Sequence, residues 1–159
     1  MRLLYVFLFF LVGSSVFSQS ETLAENYFDR GEYQKAISIY QKLYAKAPYK
    51  SQYTLRLVEA YQQLENFQAA QVLLEKQLKY RNGQSQYLVD IGHNYSLQKK
   101  DSLANTYYAK ALELVAQKPN YSSLIARKFE EFSMLDKAIL AYEKAMELIE
   151  NWTSREEAK

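Results

Sequence analysis

"EYQKAISIYQKLYAKAP", running from Glu32 to Pro48, places alanine at Ala36, tyrosine at Tyr40, leucine at Leu43 and proline at Pro48. Residues three and four apart lie on one face of a helix, and a proline ends the helix before it. The stretch is therefore helical; whether it stands alone or recurs decides the fold. Ala70, Ala104 and Ala138 follow Ala36 at steps of 34 residues.

The same step carries Tyr40 to Leu74, Tyr108 and Tyr142, and Leu43 to Gln77, Ala111 and Ala145. It also carries Tyr27 to Tyr61, Tyr95 and Phe129, and Ala24 to Val58, Gly92 and Ala126. Five columns hold without a gap, and self-similarity of this period is the mark of a repeat architecture. Each copy holds two apolar stripes at helical spacing, such as Tyr53, Leu57, Ala60, Tyr61 and Leu64 followed by Phe67, Ala70, Leu73, Leu74 and Leu78. Breaks fall at "DRGE", "LEN" and "KKDS" inside copies and at "APYKS", "YRNGQS" and "QKPN" between them. Two antiparallel helices per copy follow, with alanine allowing close approach and the aromatic one turn on filling the space beside it.

Small, aromatic, alanine, aromatic and proline positions in this order at this period resemble the tetratricopeptide repeat. The first copy, "LAENYFDRGEYQKAISIYQKLYAKAP", keeps Ala24, Tyr27, Gly31, Ala36, Tyr40 and Pro48. Departures are Thr54, Leu88 and Ser122 where the family often has tryptophan, and Gln77 at a usually small site. The resemblance implies an all-α fold, a right-handed α-solenoid of antiparallel helix pairs. Four repeats are expected over about 17–50, 51–84, 85–118 and 119–152, with a core built on Ala36, Ala70, Ala104, Ala138, Tyr40, Leu74, Tyr108 and Tyr142.

The first 18 residues read as an address. Arg2 precedes an apolar run from Leu3 to Val12, then Gly13, Ser14 and Ser15, which is the order of a secretory signal peptide. Val16 and Ser18 suit the −3 and −1 positions of a cut before Gln19, and the run is about half the roughly 20 residues a membrane span needs. The expected location is periplasmic or extracellular, with no stable membrane span after signal removal. With Arg2 removed, 19 basic residues face 18 acidic ones, which gives no footprint for nucleic acid.

The chain has no cysteine and one histidine, His93. Disulfides, thiol chemistry and multi-histidine metal sites are therefore excluded, and no cofactor signature is present. His93 has no nucleophile or orienting group signalled nearby, so no enzyme activity is expected. Sequons occur at Asn94, Asn120 and Asn151, with meaning only in a eukaryotic secretory pathway.

By register with the tetratricopeptide family, the polar residues of the concave face are Glu25 and Asp29 in the first copy and Gln52, Glu59, Gln62 and Gln63 in the second. Gln86 and His93 follow in the third, and Asn120, Arg127 and Glu131 in the fourth. They form either a peptide-binding groove or only the solvated face of amphipathic helices. Relatives that grip a C-terminal carboxylate present cations here, whereas this chain has Glu21 and Glu25, which speaks against that mode. Tyr49, Tyr53, Tyr87 and Tyr121 are either a binding surface or packing between copies.

Adding 34 to Pro119 gives Thr153, where "TSREEAK" holds two capping boxes, Thr153 with Glu156 and Ser154 with Glu157. A capping or fifth-repeat helix is expected to start over 153–159, leaving Ile139, Met146 and Ile149 partly bare. That face then takes more chain, a partner or a second copy. The functional expectation is an exported, non-enzymatic scaffold binding a protein or peptide; the alternative is the N-terminal binding module of a larger envelope enzyme or sensor.

Overall fold

A computed structural model of the chain describes residues 19–80 and 85–157; the expected signal peptide lies outside them. Among the described residues are eight α-helices and no strand. They are α1 (19–29), α2 (Tyr33–Lys46), α3 (Ser51–Gln63), α4 (Phe67–Tyr80), α5 (Gln86–Leu97), α6 (Asp101–Gln117), α7 (Ser122–Glu131) and α8 (Leu135–Glu157), with a 3-10 turn at Pro119–Tyr121 before α7. The fold class is all-α, and among the described residues no helix is long and apolar enough to cross a membrane.

Helices α1, α3, α5 and α7 end in the same way, at steps of 34 residues. The residue after the last turn is left-handed in each: Gly31 (φ 74°), Glu65 (54°), Lys99 (58°) and Ser133 (58°). Its N–H reaches back three residues, and the next N–H reaches back five, to the carbonyl of the aromatic column. Those longer bonds are Glu32 to Tyr27 (2.8 Å), Asn66 to Tyr61 (2.8 Å), Lys100 to Tyr95 (3.0 Å) and Met134 to Phe129 (2.8 Å). This is the paired-bond closure of a Schellman motif, which satisfies carbonyls that the helix end leaves open. Only the first copy has the glycine that adopts this conformation without steric cost; the other three accept roughly 1 kcal/mol or more of strain to keep the turn.

The described residues form two compact units, divided between Ala70 and Gln71 within α4. In the first, α2 packs on α3, and α1 joins both through side-chain contacts from Glu25. Its buried side chains include Ala24, Phe28, Ala36, Tyr40, Tyr53, Leu57 and Ala70. In the second, α5 pairs with α6 and α7 with α8, while α5 touches α7 and α6 touches α8. Val89, Tyr108, Leu112, Val115, Ile125 and Phe129 fill its core around Ala104, Ala111, Ala126, Ala138, Ala141 and Ala145. Each large apolar side chain so buried stabilises the fold by about 1.5 to 3 kcal/mol against exposure.

Two expectations change, and one open alternative is decided. Tyr142, expected in the core with Tyr40 and Tyr108, is 40% exposed. Tyr40 and Tyr108 are covered by rings of the next helix pair, Tyr53 and Phe129, whereas no described helix follows α8 to cover Tyr142. Tyr53 and Tyr87 are buried core residues, leaving Tyr49 as the exposed member of that group and Tyr121 half-buried. Lastly, Thr153 and Ser154 start no new helix, because α8 runs unbroken to Glu157. No glycine or proline interrupts Leu135 to Glu157, and a capping box marks a start only where a helix is not already running.

Candidate functional sites

In the first unit, Glu25 sits one turn after Glu21 on α1, and the two carboxylates meet cations from the loop before α3 and from α3 itself. Arg56 donates to Glu25 and, at 3.1 Å, to Glu59 three residues along α3. Its guanidinium also lies over the Phe28 ring, 4.6 Å from the centroid. Lys50 donates to Glu21 and to the Tyr53 hydroxyl, each at 3.0 Å. Two tyrosine hydroxyls complete the set: Tyr40 donates to Glu25 and Tyr53 to Glu21. Burial, then the Glu25 carboxylate, push the Tyr40 hydroxyl far above its ordinary range, so it stays a donor.

These groups border a cleft of about 360 Å³ lined by Glu21, Thr22, Glu25, Asn26, Gln52 and the two buried tyrosines. Its lining offers carboxylate, amide and hydroxyl groups together with two tyrosines. Of the expected groove residues, Glu25 and Gln52 share this cleft, and Glu59 is tied to it through Arg56. Asp29 is exposed at the end of α1, while Gln62 is half-buried and Gln63 exposed at the end of α3; the last two lie outside the cleft lining.

In the second unit, His93 is packed rather than simply solvated. Its ring stacks on Phe132 with centroids 3.8 Å apart and planes 8° from parallel. Burial, reinforced by the nearby Lys128 charge, lowers its pKa, so the neutral imidazole is favoured. One turn earlier on α5, Asp90 forms a buried ion pair with Lys128 of α7 at 3.1 Å. Lys128 also holds Glu131 at 3.0 Å and lies over the Phe132 ring. Burial pushes the Asp90 carboxyl up to about 6 against the pull of Lys128. For Lys128, burial acts downward, but Asp90 and Glu131 outweigh it and hold the ammonium above its usual value.

His93 and Glu131 are thus brought to one cluster. Gln86 is half-buried at the start of α5, while Asn120 in the 3-10 turn and Arg127 on α7 are exposed. Asn94, read as a sequon, is fully buried and donates to Gln71 at 3.0 Å, which closes it to glycosylation in the folded chain. The Asp90–Lys128 pair escaped the sequence reading. Its one signal is a carboxylate inside the apolar run "YLVDIG", Tyr87 to Gly92, since a buried charge requires a partner.

Residues 27–88 match the family described as Tetratricopeptide repeat. Comparison with curated proteins finds no match. Among solved structures, the type III secretion translocator chaperone SycD of Yersinia enterocolitica is 23% identical with a TM-score of 0.60, over 77% of this chain and 90% of that one. PcrH from Pseudomonas aeruginosa is 20% identical with a TM-score of 0.58, over 79% of this chain and 92% of that one. PcrH in complex with the chaperone binding region of PopB is 20% identical with a TM-score of 0.56, over 72% and 92%. These likenesses are of fold: helix pairs of the tetratricopeptide kind.

Proposed function

We propose that this chain is an exported, non-enzymatic scaffold that binds a peptide segment or partner helix, with the α1–α3 cleft as its principal contact. The observation that carries the reading is that cleft: acceptors and donors already fixed by Lys50, Arg56, Tyr40 and Tyr53 surround space left open between helices. A groove whose polar groups are held before the ligand arrives loses less side-chain freedom on binding. The complex of PcrH with a region of PopB supports it, because a fold of this kind there holds a segment of another protein.

The test is cross-linking from Gln52 replaced by a photoreactive residue, followed by mass spectrometry of envelope extracts. A partner captured from this position, and lost when Thr22→Arg fills the cleft, supports the reading. Capture unchanged by Thr22→Arg overturns it. Export rests on the charged, apolar and small-residue order of residues 1–18. Extracytoplasmic protein beginning at Gln19 is the expected product, and Met1 retained in membrane fractions refutes it.

A further inference from the structure

The last described helix carries an apolar seam on its outer side. Leu135, Ile139, Tyr142, Met146 and Ile149 are 61, 56, 40, 59 and 53% exposed. Their spacing of four, three, four and three residues is that of the a and d positions of a coiled coil. At 3.6 residues per turn they lie within about 80° of arc along roughly 21 Å of helix. The helix is also long: 23 residues, against ten in its partner α7. A continuous bare apolar stripe of this kind marks an interaction site more than scattered surface residues do.

The two edges of the seam differ. On one, Ala138 and Ala145 are buried in the core of the second unit. On the other, Asp136 and Glu143 stand seven residues apart, Glu150 follows after seven more, and Glu147 lies just beyond; all are exposed. The basic residues Lys137 and Lys144 also repeat after seven, but on the far side of the helix, where Lys137 lies over the Tyr108 ring of α6. An occupant of the seam therefore meets apolar side chains flanked by a single line of negative charge.

From this we infer that the α8 seam docks a cationic amphipathic helix of a partner protein, through residues none of which line the α1–α3 cleft. A second copy of the chain fits less well. With two α8 helices antiparallel, the acidic lines face each other; with them parallel, each line falls on the Ala138–Ala145 edge, already occupied by the partner's own core. Lysine or arginine beside the partner's apolar stripe meets the acidic line instead, as flanking charges do in selecting coiled-coil partners.

The test uses the full chain and two synthetic helical peptides of about three heptads, with leucine and isoleucine at a and d. One carries lysine at the flanking positions and its twin carries glutamate, and binding is read by fluorescence anisotropy. The lysine peptide should bind more weakly as salt rises, and the glutamate twin about tenfold more weakly or worse. Asp136→Lys with Glu143→Lys should reverse that order. Met146→Glu should weaken the lysine peptide about tenfold or more; Ile139→Gln is a second reporter, and both positions are exposed, so folding is not at stake. Equal binding of the two peptides, or binding of neither, overturns the proposal. So does sedimentation showing a self-associated chain that Met146→Glu returns to monomer, which assigns the seam to a second copy. Either result leaves the cleft reading untouched, because no residue is shared.

Discussion

Gly92 lies directly under the ring of Tyr108. A Cβ built on this glycine would come 2.4 Å from Tyr108 Cε1 and 3.1 Å from the Ala104 carbonyl oxygen. Helices α5 and α6 therefore meet where neither has room for another carbon. Gly92→Ala should destabilise the chain by about 1 to 3 kcal/mol, as overpacking does, and Ala104→Leu by a similar amount. Urea unfolding measures both, and a change within about 0.5 kcal/mol would contradict this packing.

The buried pair of Asp90 and Lys128 should be costly to break and cheap to replace. Asp90→Ala leaves the Lys128 ammonium in the core with only the largely exposed Glu131, and loss of one partner of a buried pair costs about 3 to 5 kcal/mol. Asp90→Leu with Lys128→Met removes both charges and should recover most of that loss. A thermal melt of the three variants gives the ordering.

Asp90 and His93 should pull the pH dependence of stability in opposite directions. The Asp90 carboxyl lies at about 6 in the fold against 3.8 for the free group, so its contribution is present below 3.8 and is lost as pH rises to about 6. His93 has a lowered pKa, so its contribution is present above the ordinary histidine value of 6.5 and is lost as pH falls. Asp90→Asn should make stability climb more steeply between pH 4 and pH 6, since the opposing term is gone. His93→Gln should make it climb less steeply below 6.5, and denaturant midpoints across this range supply the check.

Stacking on Phe132 makes His93 a packing residue as well. His93→Ala should cost about 0.5 to 1.5 kcal/mol, more than a solvated histidine would. His93→Phe, keeping the ring face, should recover part of it.

Helix starts offer a gain. Asn66 accepts a hydrogen bond from the Ala69 N–H at 3.2 Å before α4, whereas Lys100, at the same place before α6, makes no side-chain cap. Lys100→Asn should add about 0.5 to 1 kcal/mol, and Asn66→Ala should lose a comparable amount.

The helix pairs were legible in the sequence because their information is local and periodic. Ala36, Ala70, Ala104 and Ala138 are all buried, as close approach of paired helices requires. Tyr142 obeyed the same column and still came out exposed, since Tyr40 and Tyr108 are each met by a ring of the next pair as well as by their own, and no described helix supplies that ring to Tyr142. Ion pairs were less legible: Arg56 and Glu25 are 31 residues apart and Asp90 and Lys128 are 38 apart, and no period links a cation on one helix to a carboxylate on another. The groove residues divided along the same line. Glu25 and Gln52 share a cleft because α1 and the first turn of α3 both border it, while Gln63 and Arg127 are exposed and lie outside its lining.

The four left-handed turns have a consequence for how the molecule can be watched. Glu32, Asn66, Lys100 and Met134 donate their N–H groups backward across a turn, where loop amides ordinarily exchange with solvent quickly. Their protection lasts only while the preceding helix keeps its last turn. Hydrogen–deuterium exchange at these amides reports fraying one helix pair at a time, through four natural probes set 34 residues apart along the chain. Uneven protection among them would rank the pairs by local stability without a single substitution.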